Sequence, residues 1–140
     1  MRPIKFRAWD KGLKKYWLDV QSLGTESKMY SDLKLPALEY MLSDDDLIIE
    51  QYTGVKDKNG VEIYEEDIVE WYETYYWKPD LIGTVNFTDG TFMIVGKDYG
   101  ENKIGQIVVN NSIPLCDLDT EDVEILGNIH EKPDLLEVNK

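Results

Sequence analysis

The segment Val85-Asn86-Phe87-Thr88-Asp89-Gly90-Thr91-Phe92-Met93-Ile94 constrains the fold of this chain more than any other. Asp-Gly between two alternating runs is the composition of a two-residue type I′ hairpin loop, in which both central residues need positive φ. With Asp89-Gly90 as the loop, Thr88 opposes Thr91, Phe87 opposes Phe92 and Val85 opposes Ile94. Phe87, Phe92, Val85 and Ile94 then share one face and are expected in the core, with Asn86 and Met93 on the other. A slip of one residue would turn that apolar set to solvent, so the pattern fixes the register.

Other segments carry the same two-residue period. Ile4, Phe6 and Ala8 alternate with Lys5 and Arg7, which predicts a half-buried strand whose apolar side packs and whose basic side faces water. Asp10-Lys11-Gly12 supplies a turn into the stretch Lys15 to Val20. Leu47 to Gln51 reads as a strand, and Asn59-Gly60 as a hairpin turn in which both residues accept positive φ. The aromatic and β-branched run Asp67 to Trp77 favours a strand over a helix and stops at Lys78-Pro79-Asp80. Further β-like runs lie at Gln106 to Val109 and Val123 to Ile129. Pro36 suits the start of a short helix carrying Ala37, Leu38, Met41 and Leu42 on one face.

Short strands, frequent turns and few helical periods predict a mainly β, β-rich α+β chain, built as a small barrel or strongly bent antiparallel sheet. Gly83, Gly96 and Gly127 suit the bends of such a sheet. The 140 residues amount to one domain, with 1–50 as an N-terminal strand and short-helix extension and 51–140 as the barrel-like core. A chain of this size buries a sufficient core without metal or disulfide.

Charge limits the partners. The net charge of −13 repels nucleic acid and anionic membrane, so nucleic acid is disfavoured as a partner. Residues 1–15 nevertheless carry Arg2, Lys5, Arg7, Lys11, Lys14 and Lys15 against Asp10 alone. Such a segment is either the solvated face of a strand or an arm that contacts phosphates through Arg2, Lys5, Arg7, Lys11 and Lys14. The single cysteine, Cys116, points to a reducing, cytoplasmic compartment, and no run reaches signal-peptide or membrane-spanning length.

The residues do not compose a catalytic centre. His130, the only histidine, and Cys116 are the sole candidates for a nucleophile pair, but Pro114-Leu115-Cys116-Asp117-Leu118 has no cation to lower the thiol pKa. Structural zinc needs four Cys or His ligands. The run Asp44-Asp45-Asp46 lacks the Gly and Glu of a calcium loop, with Ile49 and Val55 in their places. Glu65-Glu66-Asp67 and the acids Asp117, Asp119, Glu121 and Asp122 have no interspersed base to hold a scissile phosphate. No phosphate-cradling glycine motif occurs. Neither enzymatic activity nor a cofactor or metal is expected.

Three blocks carry a family resemblance: Ile4-Lys5-Phe6-Arg7-Ala8-Trp9-Asp10, the run QYTGVKDKNGVEIYEEDIV over Gln51 to Val69, and Leu126-Gly127-Asn128-Ile129-His130-Glu131-Lys132-Pro133-Asp134-Leu135-Leu136. Together they resemble the YopX family of phage and prophage proteins. The resemblance implies a phage or prophage origin in a bacterial host, an SH3-like barrel after the middle block and self-association, and no known activity. Glu66 stands where the family usually has Gly, so either a positive φ there costs about 1 kcal/mol or the turn differs. His130 stands where an aromatic residue commonly follows Gly-Asn-Ile.

The densest chemical feature is Trp71, Tyr72, Tyr75, Tyr76 and Trp77. On a strand Trp71, Tyr75 and Trp77 point one way and Tyr72 and Tyr76 the other, and one small core uses only one face. The other face serves a protein interface, intrachain packing or base stacking. The surrounding Glu70, Glu73 and Asp80 favour a protein interface over bases. The sequence thus reads as a non-enzymatic interaction module whose first partner is a second copy of itself, with a host or phage protein as another. An acidic nucleic-acid mimic directed at a host DNA-binding protein, and a weak nucleic-acid binder using the basic N-terminus, are the alternatives.

Overall fold

The computed structural model describes residues 3–20, 42–72, 81–98 and 109–136. The chain divides into two compact units, Met1–Gly54 and Val55–Lys140. It is mostly β-strand, with few helices, as the alternating runs predict.

In the first unit β1 (Phe6–Asp10) lies between β2 (Lys15–Trp17) and β3 (Leu47–Lys56), antiparallel to both. Asp10 builds the β1–β2 turn: its Oδ1 accepts from the Gly12 and Leu13 amides at 2.9 Å each, and its Oδ2 from Trp17 Nε1 at 3.1 Å. Lys14 closes the turn at φ 54°. On one face Ala8 and Val20 pack with Phe6, Trp17, Leu47 and Ile49. The Asp44–Asp46 run is a loop before β3, with Asp44 Oδ1 accepting from the Asp46 amide at 2.9 Å.

The basic side of β1 departs from its sequence reading, because it does not face water at Arg7. Arg7 and Glu50 are direct cross-strand partners, and their side chains pair at 2.9 Å with only 10% and 1% exposure. Burial of a charge is tolerated only when it is paired and hydrogen-bonded. Glu50 lies 43 residues downstream, beyond the reach of a period-2 argument.

The second unit holds a curled antiparallel sheet in the order β8-β7-β6-β5-β9. Its strands are β5 (Asp67–Trp71), β6 (Leu81–Thr88), β7 (Thr91–Asp98), β8 (Val109–Pro114) and β9 (Val123–Asn128), while β4 (Glu62–Tyr64) neighbours the end of β3. Ile63, Val69, Leu81, Val85, Phe92, Ile94, Leu115 and Val123 form the core. The β6–β7 register is the one the sequence predicts, and Asp89 and Gly90 both take positive φ, at 54° and 79°. Gly83 and Gly96 oppose each other where the strands come closest: a Cβ on Gly96 would lie 2.0 Å from the Ile82 carbonyl oxygen.

Two expectations in this unit need correction. Phe87 is 56% exposed rather than in the core. It sits one pair from the hairpin tip, its ring in a T-shaped contact with Phe92 at 5.1 Å and 68°. Asn59-Gly60 does form a turn, but only Gly60 has positive φ, because the buried Asp57 side chain dictates another geometry. Asp57 Oδ1 accepts from the Asn59 and Val61 amides at 2.9 Å each, giving a three-residue loop in which Gly60 is the left-handed residue. The strand before Leu115 is Val109–Pro114, which shares Val109 with the run read at Gln106 to Val109 and continues past it. Asn110, Asn111 and Pro114 hide it from β propensity, and such residues are tolerated because β8 is an edge strand. The short helix expected after Pro36 lies outside the described residues, as do positions 106–108.

Candidate interaction surfaces

Trp71 ends β5, paired with Leu81 on one side and Val123 on the other, and it packs half-buried against the second unit's core. The aromatic run therefore begins inside the sheet. Tyr72 follows the strand, its amide donating to the Asp122 carbonyl at 3.0 Å. Tyr75, Tyr76 and Trp77 lie outside the described residues.

Around Tyr72 is a polar cluster that spans three elements. Glu70 on β5 directly opposes Glu124 on β9. Lys58, in the turn after β3, pairs with Glu124 Oε2 at 3.0 Å, and Asn59 Nδ2 donates to Glu124 Oε1 at 3.5 Å. The environments push the two carboxyls apart. Desolvation, with Glu124 beside it, raises the Glu70 pKa, whereas the Lys58 hydrogen bond lowers that of Glu124. Desolvation and then the Glu70 charge raise the Tyr72 pKa, and the hydrogen bond to Glu124 raises that of Lys58.

The basic N-terminal residues are mostly engaged. Arg7 pairs with Glu50 and lies 4.2 Å over the Tyr16 ring, whose hydroxyl donates to Glu50 Oε1 at 3.0 Å. Trp9 meets Tyr16 edge-on at 5.0 Å. Lys5 lies 5.8 Å over Tyr52 and Lys15 lies 4.5 Å over Trp17. Lys11 Nζ donates to the Asp45 carbonyl at 3.1 Å. Lys14 is exposed at the turn, and Arg2 lies outside the described residues.

The acidic runs are used as local caps. Asp67 is buried and accepts from the Tyr64 amide at 2.8 Å, turning the chain from β4 into β5. Asp119 accepts from the Glu121 amide at 3.1 Å at the start of a short 3₁₀ turn. Among the described residues no three His, Cys, Asp or Glu side chains are grouped to hold a metal ion. Cys116 is exposed beside Asp117, its Sγ 3.8 Å from the carboxylate. His130 sits in the turn after β9, where its amide donates to Asn128 Oδ1 at 3.0 Å.

Glu66 occupies the turn before β5 at φ 70°, a left-handed conformation that costs a residue with a Cβ about 1 kcal/mol. Its amide donates to the Val85 carbonyl and its carbonyl accepts from the Ile129 amide. The Asn86 amide, oriented by its acceptors, donates to Glu66 Oε1 at 3.3 Å.

Sequence reasoning missed Phe87 as a surface residue. Its neighbour Thr88, paired with Thr91 at the tip, was the available signal that the core ends there. Leu13, Leu18 and Leu42 in the first unit are likewise exposed. No helix among the described residues is long and apolar enough to cross a membrane.

Comparison with known proteins adds two solved structures of the same fold. Protein EF1440 from Enterococcus faecalis is 24% identical with a TM-score of 0.57, over 98% of this chain and 100% of its own. Protein yopX from Bacillus subtilis is 21% identical with a TM-score of 0.56, over the same 98% and 100%. The curated proteins give no match. The family model described as YopX protein matches residues 5–137, nearly the whole sequence that the three blocks span, and this chain belongs to the YopX family.

Proposed function

We propose that this protein is a non-enzymatic accessory protein of a phage or prophage that works by binding protein, with a second copy of its own chain as the first partner. The observation that carries the reading is Phe87. An aromatic side chain more than half exposed at a hairpin tip, resting edge-on against a core phenylalanine, presents a rigid apolar contact at little entropic cost. The half-buried Trp71 and Tyr72 at the start of the aromatic run add to the apolar surface of the same unit. Light scattering on the wild-type chain and on Phe87→Ser tests this. The wild type is expected at twice 16.3 kDa or more, and the variant at a lower mass with an unchanged melting temperature. Equal masses for the two would sink Phe87 as the contact.

The acidic mimic of nucleic acid is the second reading. The net charge of −13 supports it, and Arg7, buried and paired with Glu50, is already engaged within the fold. A phosphate-contacting N-terminal arm is correspondingly disfavoured.

A further inference from the structure

Two carboxylates directly opposed on neighbouring antiparallel strands repel, and natural sheets avoid the arrangement. Here Glu70 on β5 faces Glu124 on β9, and the junction they share is held by backbone bonds from a third element. The turn after β3 donates from Lys58 N to the Val123 carbonyl at 2.9 Å, and Asp57 Oδ2 accepts from the Ile125 amide at 3.1 Å. Glu124 thus lies between two residues whose backbones bind the turn, and its own side chain binds Lys58 and Asn59 of that turn. Anything that moves Glu124 moves the closure of this sheet edge.

We propose that Glu70 and Glu124 form a proton-operated latch, in which one shared proton closes the 57–61 turn onto β9 and its loss loosens that edge. The atoms balance simply. In the closed form the Glu70 carboxyl keeps its proton and donates it to a Glu124 oxygen, while Lys58 neutralises the remaining charge. In the open form that proton goes to solvent and the two carboxylates compete for one ammonium.

The surroundings of Glu70 favour retention of the proton. Ile82 on β6 opposes it on the other side and is apolar, and the row continues to Lys97 on β7, two strands away. Tyr72, just after β5, opposes retention, because its hydrogen bond to Glu70 favours the carboxylate, but burial is the larger influence. On β9 the facing group is Glu124, and from the turn they are Lys58 and Asn59. Lys58 is spent chiefly on Glu124, so it relieves Glu70 only weakly. Burial and Glu124 act in the same direction on Glu70, above the ordinary 4.5.

The sign follows. A carboxyl whose folded pKa is raised stabilises the closed edge at low pH and withdraws that stability as pH rises from 4.5 through the folded pKa. Carbon-detected NMR titration of the full chain reads the Glu70 carboxyl directly, and amide hydrogen exchange at Lys58 and Ile125, corrected for intrinsic rate, reads the edge. Glu70 is expected to titrate above 4.5, with protection at both amides falling about two- to fivefold as it ionises. Glu70→Gln donates permanently and is expected to keep both amides protected across the range. Titration of Glu70 at or below 4.5, flat wild-type protection, or a Glu70→Gln profile matching wild type would each overturn the latch. The wild-type titration decides the matter if the variant fails to fold.

Discussion

Replacing Asp57 by Ala removes the acceptor on which three backbone amides converge, and the loss can be built up bond by bond. Asn59 and Val61 lie in an exposed turn, so water re-solvates their amides and each lost bond costs about 0.5–1 kcal/mol. Ile125 is half-buried in β9, and leaving its amide without an acceptor costs about 1–3 kcal/mol. The sum is about 3 kcal/mol. Asp57→Asn keeps an oxygen toward the turn but sets an NH₂ against the Ile125 N–H, so its cost of about 2 kcal/mol falls almost wholly on β9. Urea unfolding should show both losses as a lower midpoint with unchanged slope. Hydrogen exchange should show Ile125 losing protection in both variants. A loss under about 0.5 kcal/mol for Asp57→Ala, typical of an ordinary surface substitution, would refute this reasoning.

The other perturbations address single features. Glu50→Ala leaves Arg7 charged and buried, and should cost about 3–5 kcal/mol in urea unfolding, with much of it recovered in the double variant Arg7→Met, Glu50→Leu. Gly96→Ala drives a methyl into the Ile82 carbonyl and should cost more than about 3 kcal/mol, whereas Gly12→Ala, whose new atom meets only the Asp10 carboxylate at 3.3 Å, should cost far less by thermal melting. Glu66→Gly relieves a left-handed backbone worth about 1 kcal/mol, partly offset by the lost Asn86 bond, and should raise the melting temperature slightly while Glu66→Val lowers it. Asp10 has its pKa lowered first by the Leu13 amide and then by Trp17, so its stabilising effect is present above 3.8 and fades as pH falls below it. Asp10→Asn should therefore flatten the acid limb of the stability curve.

What was legible in the sequence was local. Asp89-Gly90 carries its geometry in two residues, so the β6–β7 pairing followed without any knowledge of the rest of the sheet. The sequence leaves the conformation of Glu66 open between a left-handed residue and a different turn, and the fold selects the first at φ 70°. Asn59-Gly60 marks a turn just as clearly, yet its type is decided by the Asp57 carboxylate and by an amide 68 residues away. Arg7 reads as solvated until Glu50 is brought opposite it. Phe87 fails in the reverse direction: alternation assigns a face, but only the extent of the core decides whether that face is covered. The polar cluster had no sequence signal at all, because Glu70 and Glu124 meet only through the β5–β9 pairing and Lys58 only where its turn binds β9.

Self-association through exposed apolar side chains is tested most directly by sedimentation velocity of the full chain from about 1 to 100 μM, at low and at high salt. Apolar contacts should hold the mass at twice 16.3 kDa or more at the upper concentrations and be no weaker in high salt, where charge-driven association is screened. A single species of 16.3 kDa throughout the range would contradict the account.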